Sequence, residues 1–252
     1  MMVIYMTQLL KKPMKVLILG QGYVGSRLLA CFPDAQSTRR SHFELNRPET
    51  WKQNEDLFTS AETVIWTFPA ASEETDEELA LKFFDRHLYH ARVMIYGTTS
   101  AYRVKATHEW IDENSELNLD QVRTRTEENL RKKGACILHL SGIFGPGRLP
   151  LNWYLRGLVQ FGSSYLNLIH VDDIVAITEK LTHHHEIAGQ RINLANGKPK
   201  THLQMISELK SLGLIAQDFT LPEKEKLDSK RVSNKKIKTL LNLPDSYFTD
   251  YP

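Results

Sequence analysis

Residues 14–32 read MKVLILGQGYVGSRLLACF, and this stretch decides the fold. Lys15 to Leu19 is an apolar run of the kind that a strand covered on both faces requires. Gly20, Gly22 and Gly25 follow at G-x-G-x-x-G spacing, and Val24 to Phe32 carries apolar residues at helical spacing. Between a strand and a helix each glycine has its own task. The first permits a tight turn, the second lets the main chain approach a pyrophosphate, and the third lets helix and strand pack closely. N–H groups at the start of the helix, aided by its dipole, would then hold the phosphates. The stretch predicts a dinucleotide site using Gly20, Gly22, Tyr23, Val24 and Gly25, against the alternative of a glycine-rich turn without a ligand.

Outward from this segment, apolar runs alternate with helix-patterned stretches. Strands are predicted at Lys15 to Leu19, Ala35 to Thr38, Thr63 to Thr67, Val93 to Tyr96, Cys136 to Leu140 and Arg191 to Leu194. Helices are predicted at Val24 to Phe32, Glu74 to Tyr89, Asp120 to Lys133, Asp173 to Thr182 and Lys200 to Leu212. This order predicts an α/β fold, a Rossmann-type doubly wound parallel sheet with a small C-terminal substrate lobe. Residues 1–13 are expected to be a disordered or loosely packed extension, 14–145 the NAD(P)-binding domain, and 146–252 a substrate-binding lobe interleaved with the sheet.

Lys and Arg total 32 against 30 for Asp and Glu, so no overall field favours nucleic acid or an anionic membrane. Cys31 and Cys136 sit in apolar stretches, which argues against a disulfide framework and fits a reducing, cytoplasmic setting. His183 to His185 are adjacent at a helix end and point different ways, so no metal site is expected. The lysine-rich stretch Lys224 to Lys238, with Glu223 before it and Glu225 and Asp228 within it, reads as charged surface. The second strand ends in Ser37, Thr38, Arg39 and Arg40, where an NAD site usually has Asp or Glu. A guanidinium there would pair with a 2′-phosphate, which favours NADP, with NAD as the alternative and solvated surface arginines as the ligand-free reading.

Further segments resemble the extended short-chain dehydrogenase/reductase superfamily in its NAD-dependent epimerase/dehydratase-like branch. They are VIWTFPAA (64–71), MIYGTTSAY (94–102) and LHLSGIFGPGR (138–148) at successive strands, and NLIHVDDIVAI (167–177) before a helix. SKRVSNKKIKTLL (229–241) is similar to the closing motif of an atypical subgroup. The resemblance implies that Thr67, Phe68 and Pro69 pass the adenosine and ribose, and that Gly142, Ile143 and Phe144 lie near the nicotinamide. It places Thr98 and Thr99 against cofactor and a substrate oxygen, and Arg148, His170 and Asp172 on the substrate side. His170 also reads as a helix cap, as do Asp172 and Asp173.

One departure from that pattern bears on chemistry. Typical members carry Tyr-x-x-x-Lys about twenty residues beyond the Ser/Thr, and here Leu119 and Arg123 take those two positions. Leucine transfers no proton. Tyr102 is the substitute on offer, beside Thr99 as the residue that orients substrate, while Arg123 remains able to anchor ribose hydroxyls. A packing tyrosine is the competing reading for Tyr102. The expected function is an oxidoreductase or epimerase/dehydratase-like activity on a small polar substrate, sugar or nucleotide-sugar, with no nucleic-acid or membrane partner, as a monomer or homodimer. A non-catalytic NADP(H)-binding redox-sensing or regulatory protein is the rival.

Overall fold

The computed structural model describes residues 14–252, so the expected N-terminal extension lies outside the described residues. In chain order the strands are β1 (Val16–Leu19), β2 (Gln36–Ser37), β3 (Thr63–Trp66), β4 (Arg92–Thr98), β5 (Glu109–Ile111), β6 (Cys136–Leu140), β7 (Gly142–Phe144), β8 (Tyr165–Leu166), β9 (Leu168–His170), β10 (Arg191–Leu194), β11 (Lys200–Thr201) and β12 (Lys230–Val232). Six of them form one parallel sheet in the order β10-β6-β4-β3-β1-β2. Every residue of β1, β3 and β6 is buried, which is why these strands read as unbroken apolar runs. Alternate residues feed two cores. Ile18, Ile65, Met94 and Leu138 face one layer with Leu28 and Ile174, and Leu17, Val64, Ile95 and Ile137 face the other with Phe83 and Leu130.

The chain steps from β1 outward to β2 and then back across to β3, so the strand order reverses at β1. Such a switch point opens a crevice at the carboxyl ends of the strands. The sheet stops at the two-residue β2. Where a further outer strand would follow in the common six-strand order, residues 39–60 instead form short helices at Glu49–Lys52 and Glu55–Ser60. Their Trp51 and Phe58 pack on Phe83, with ring centroids 5.2 and 5.0 Å away.

Helix boundaries differ from expectation for local reasons. The predicted helix Glu74 to Tyr89 is α-helical over Glu74–Phe83 and then widens into a π-turn, Phe84–Leu88, which buries Phe84, His87 and Leu88. The helix predicted at Asp173 begins at Val171, because His170 caps it: His170 Nδ1 accepts the Asp172 N–H at 3.2 Å. The Asp173 carboxylate is otherwise engaged, accepting the Thr249 N–H at 2.8 Å and its hydroxyl at 3.1 Å.

Outside the main sheet the chain builds three small ladders, β7 with β9, β5 with β12, and β8 with β11. It also returns to the main sheet, where β10 pairs along β6 and forms the edge. Ile237 from the helix Lys235–Leu241 enters the first core layer. No helix among the described residues is long and apolar enough to cross a membrane.

Candidate functional site

The three glycines of the first turn are explained by three different facts. Gly20 has φ +96°, and a Cβ there would lie 2.8 Å from Thr67 Oγ1. A Cβ on Gly25 would lie 2.0 Å from the Gly20 carbonyl oxygen, so helix and turn touch main chain to main chain. Gly22 has neither a positive φ nor any atom within 4 Å of its Cβ position. Strain and internal packing both fail to account for glycine at 22. What remains is the open space above the turn, bordered by N–H groups of Gly22, Tyr23 and Val24 that donate to no described residue. These features fit a dinucleotide pyrophosphate lying against the main chain.

The rim of the turn is fixed from both sides. Thr38 Oγ1 accepts the Gly20 N–H at 3.1 Å, and Arg39 Nε donates to Gln21 Oε1, so the end of β2 is tied to the turn. Arg40 is exposed and forms no hydrogen bond or ion pair with a described residue. On the other side Thr67 Oγ1 donates to the carbonyls of Leu19 and Gly20, at 3.0 and 2.8 Å. Phe68 packs on Trp66 and Phe43, and Pro69 is exposed. Thr67 therefore holds the turn in shape rather than offering a free hydroxyl.

Tyr23 crosses from the turn to the later loop, its hydroxyl donating to Pro146 O at 3.1 Å. Gly145 and Arg148 exchange main-chain hydrogen bonds of 3.2 and 2.9 Å, and the Arg148 guanidinium lies 5.8 Å from the Tyr23 ring centroid. His170 packs edge-on against Phe144 at 4.9 Å, while Asp172 is exposed. Gly142, Ile143 and Phe144 are β7, alongside β9. Arg148 and His170 are thus brought to the glycine turn, at one loop, through Tyr23 and Gly145.

The end of β4 separates the hydroxyl candidates. Thr98 Oγ1 accepts the Ser100 N–H at 3.2 Å and caps a short 3-10 turn. Thr99 is largely buried, and its hydroxyl bonds to no described residue, so it alone of the pair is uncommitted. Tyr102 is enclosed. Its hydroxyl is buried, donates to Asn193 Oδ1 at 2.7 Å and meets His139 Nδ1 at 2.9 Å. Burial, with Glu113 nearby, pushes its pKa far up, which disfavours loss of its proton in this arrangement.

Leu119 is 45% exposed on the surface. Arg123 Nε donates to Glu127 Oε1 at 2.7 Å and its terminal nitrogen to Tyr96 O at 3.0 Å. Beneath them, burial raises Glu127 to about 7 against the pull of Arg123, and lowers His139 to about 3. Gly97 makes room for both, since a Cβ there would sit 2.6 Å from Glu127 Oε2 and from His139 Cδ2.

A cavity of about 490 Å³ opens beyond the end of β4. Ser100, Trp153, Tyr165, His202, Lys226 and Lys230 are among its walls. None of these was singled out from the sequence as a site residue. Lys230 did stand in the SKRVSN segment, which was the one available signal.

No family model matches the chain. Among curated proteins it is 28% identical over 135 residues to Protein YeeZ of Escherichia coli K12. That match covers 49% of this chain and 49% of YeeZ, about half the length of each. Among solved structures it is similar to a Methylobacillus flagellatus protein named for the NAD-dependent epimerases/dehydratases, with TM-score 0.72, 20% identity, and 90% and 92% of the two chains covered. It is similar to dTDP-glucose 4,6-dehydratase of Bacillus anthracis in complex with NAD, with TM-score 0.66, 14% identity and 91% and 90% covered. RMD of Pseudomonas aeruginosa complexed with NADPH gives TM-score 0.66, 15% identity and 91% and 92% covered. The chain has the Rossmann-type fold of these epimerase, dehydratase and reductase structures.

Proposed function

We propose that the chain binds NADP(H) at the carboxyl ends of β1 and β3 and acts as an oxidoreductase or epimerase/dehydratase-like protein on a small polar substrate, of the sugar or nucleotide-sugar class. The observation that carries this reading is Gly22, a glycine that neither a positive φ nor a close neighbour requires, on a turn whose N–H groups face open space. Residues 14–145 supply the cofactor side and 146–252 most of the substrate side. Arg40, the uncommitted cation beyond β2, selects the 2′-phosphate, with Arg39 held beside it by Gln21. When bound, the nicotinamide supplies or accepts a hydride. Thr99 orients the substrate oxygen, and solvent water exchanges the proton that Tyr102 is too enclosed to carry.

Titration of the purified protein with NADPH and NADH tests the cofactor assignment. A charge-assisted contact of about 1.5–3 kcal/mol predicts NADPH binding roughly ten- to a hundredfold tighter. Absence of binding by either nucleotide removes the reading, and equal affinities remove the preference for NADP.

A second reading, in which the chain binds the dinucleotide without turning it over, is favoured by the sealed Tyr102 hydroxyl and the exposed Leu119. Consumption of NADPH with any member of a panel of keto-sugars and other carbonyl compounds favours catalysis. Thermal stabilisation without consumption across that panel favours the binding protein.

A further inference from the structure

The cavity beyond β4 contains a cation that pairs with no described residue. Of the run Lys230 to Asn234, four side chains serve the structure. Arg231 Nε donates to His108 O at 2.9 Å, and its guanidinium lies over Trp110 and Tyr165 at 5.0 and 5.4 Å. Val232 is fully buried. Ser233 Oγ accepts the Lys235 N–H at 3.3 Å. Asn234 Nδ2 donates to Ala195 O at 3.0 Å.

Lys230 differs from its neighbours. Its carbonyl accepts from Asn167 Nδ2 at 2.9 Å, but its ammonium makes no hydrogen bond or ion pair with a described residue. The residue is half-buried and lines the cavity. Burial draws its pKa below that of an ordinary lysine, opposed by Asp228 and helped by Lys226. A partly desolvated ammonium without a partner is costly to keep.

The walls reinforce the sign of the charge. Residues 222–229 are fastened to 162–165 by Gly162 N–H to Pro222 O (2.9 Å), Ser163 N–H to Lys224 O (3.0 Å), Lys226 N–H to Ser164 Oγ (2.8 Å) and Tyr165 N–H to Ser229 Oγ (2.9 Å). This places Lys226 on the same wall, its ammonium 5.3 Å from the Phe161 ring centroid. His202, lowered to about 4 chiefly by burial, is neutral near pH 7 and adds no charge. Asp228 is the one carboxylate among the described residues of the lining, and it is exposed.

We propose that this cavity takes a ligand bearing a phosphate or carboxylate, held by the Lys230 ammonium with Lys226 in support and its body against Trp153 and Tyr165. Calling that ligand the substrate rests on the function proposed above, since Ser100 places the cavity beside Thr99. The anion site itself stands on the cavity alone.

Calorimetric titration of the NADPH-saturated protein with UDP and with glucuronate tests it. Expected results are binding of at least one of the two anions, a loss of tenfold or more in Lys230→Met, and recovery to within a few-fold in Lys230→Arg. NADPH affinity stays unchanged in both variants. Binding of UDP alone identifies a phosphate and of glucuronate alone a carboxylate, and either result supports the proposal. Anion affinity unaffected by Lys230→Met, or by Lys230→Gln where the methionine variant fails to fold, overturns it. So does failure of the wild type to bind either anion. If NADPH itself does not bind, the same titrations run without it: Lys230-dependent anion binding then stands while the dinucleotide reading falls.

Discussion

Gly22 and Gly25 stand three residues apart and should fail in different ways when a methyl group is added. Gly25→Ala drives its Cβ to 2.0 Å from the Gly20 carbonyl oxygen, an overpacking of main chain that costs about 1–3 kcal/mol or more. Gly22→Ala meets nothing within 4 Å, so urea unfolding should leave stability within about 0.5 kcal/mol of wild type while NADPH affinity falls. Unchanged NADPH affinity in Gly22→Ala would count against the proposed site. Glu127 and His139 make a second residue-scale case. With Glu127 raised from 4.5 to about 7, the folded protein holds that proton more tightly, so stability falls as pH rises between those values. With His139 lowered from 6.5 to about 3, the unfolded chain takes the proton first, so stability rises with pH across that range. The two slopes oppose each other between pH 4.5 and 6.5. Glu127→Gln should expose the rising slope and His139→Asn the falling one, measured by urea unfolding from pH 4 to 8. A Glu127→Gln profile parallel to wild type would show that Glu127 titrates alike in the folded and unfolded chain.

Elements were legible where their cause is local. The strands beside the glycine turn are covered on both faces and so spell unbroken apolar runs, and the turn itself is written in three glycines at a fixed short spacing. The cavity was not legible, because its walls come from residues 153–165, 202 and 226–230, brought together by ladders of two or three residues with no periodicity to detect. Tyr102 misled for the same reason. Its partners, His139 on β6 and Asn193 on β10, are distant in sequence and are fixed only by the register of the sheet. At the front of the cavity the helix His202–Ser211 is opened by a capping box. Thr201 Oγ1 accepts the Gln204 N–H at 3.1 Å, and Gln204 Oε1 accepts the Thr201 N–H at 2.8 Å. Thr201→Ala should cost about 1 kcal/mol by chemical denaturation. A loss below a few tenths would mean that packing of Met205, Ile206 and Leu209 holds this helix without its cap.

For the molecule as a whole, a bound dinucleotide would act on a sheet whose crevice joins distant parts of the chain. At a hundredfold excess over its dissociation constant, NADPH should add about 2.7 kcal/mol, and for a protein of this size raise the melting temperature by about 5–10 °C. Calorimetry with NADPH and NADH at equal concentrations checks both the shift and its preference. The position of β10 at the sheet edge also has a consequence for how the protein is made. As the chain leaves the ribosome, β6 emerges with one edge bare and waits for residues 191–194 to follow. Translation proceeds at roughly 5–20 residues per second, so that edge stays open for on the order of seconds. An unpaired strand edge is a template for pairing with another chain. The nascent polypeptide, more than the finished fold, is the form most exposed to strand-to-strand association, and cutting the chain after residue 145 would make that exposure permanent.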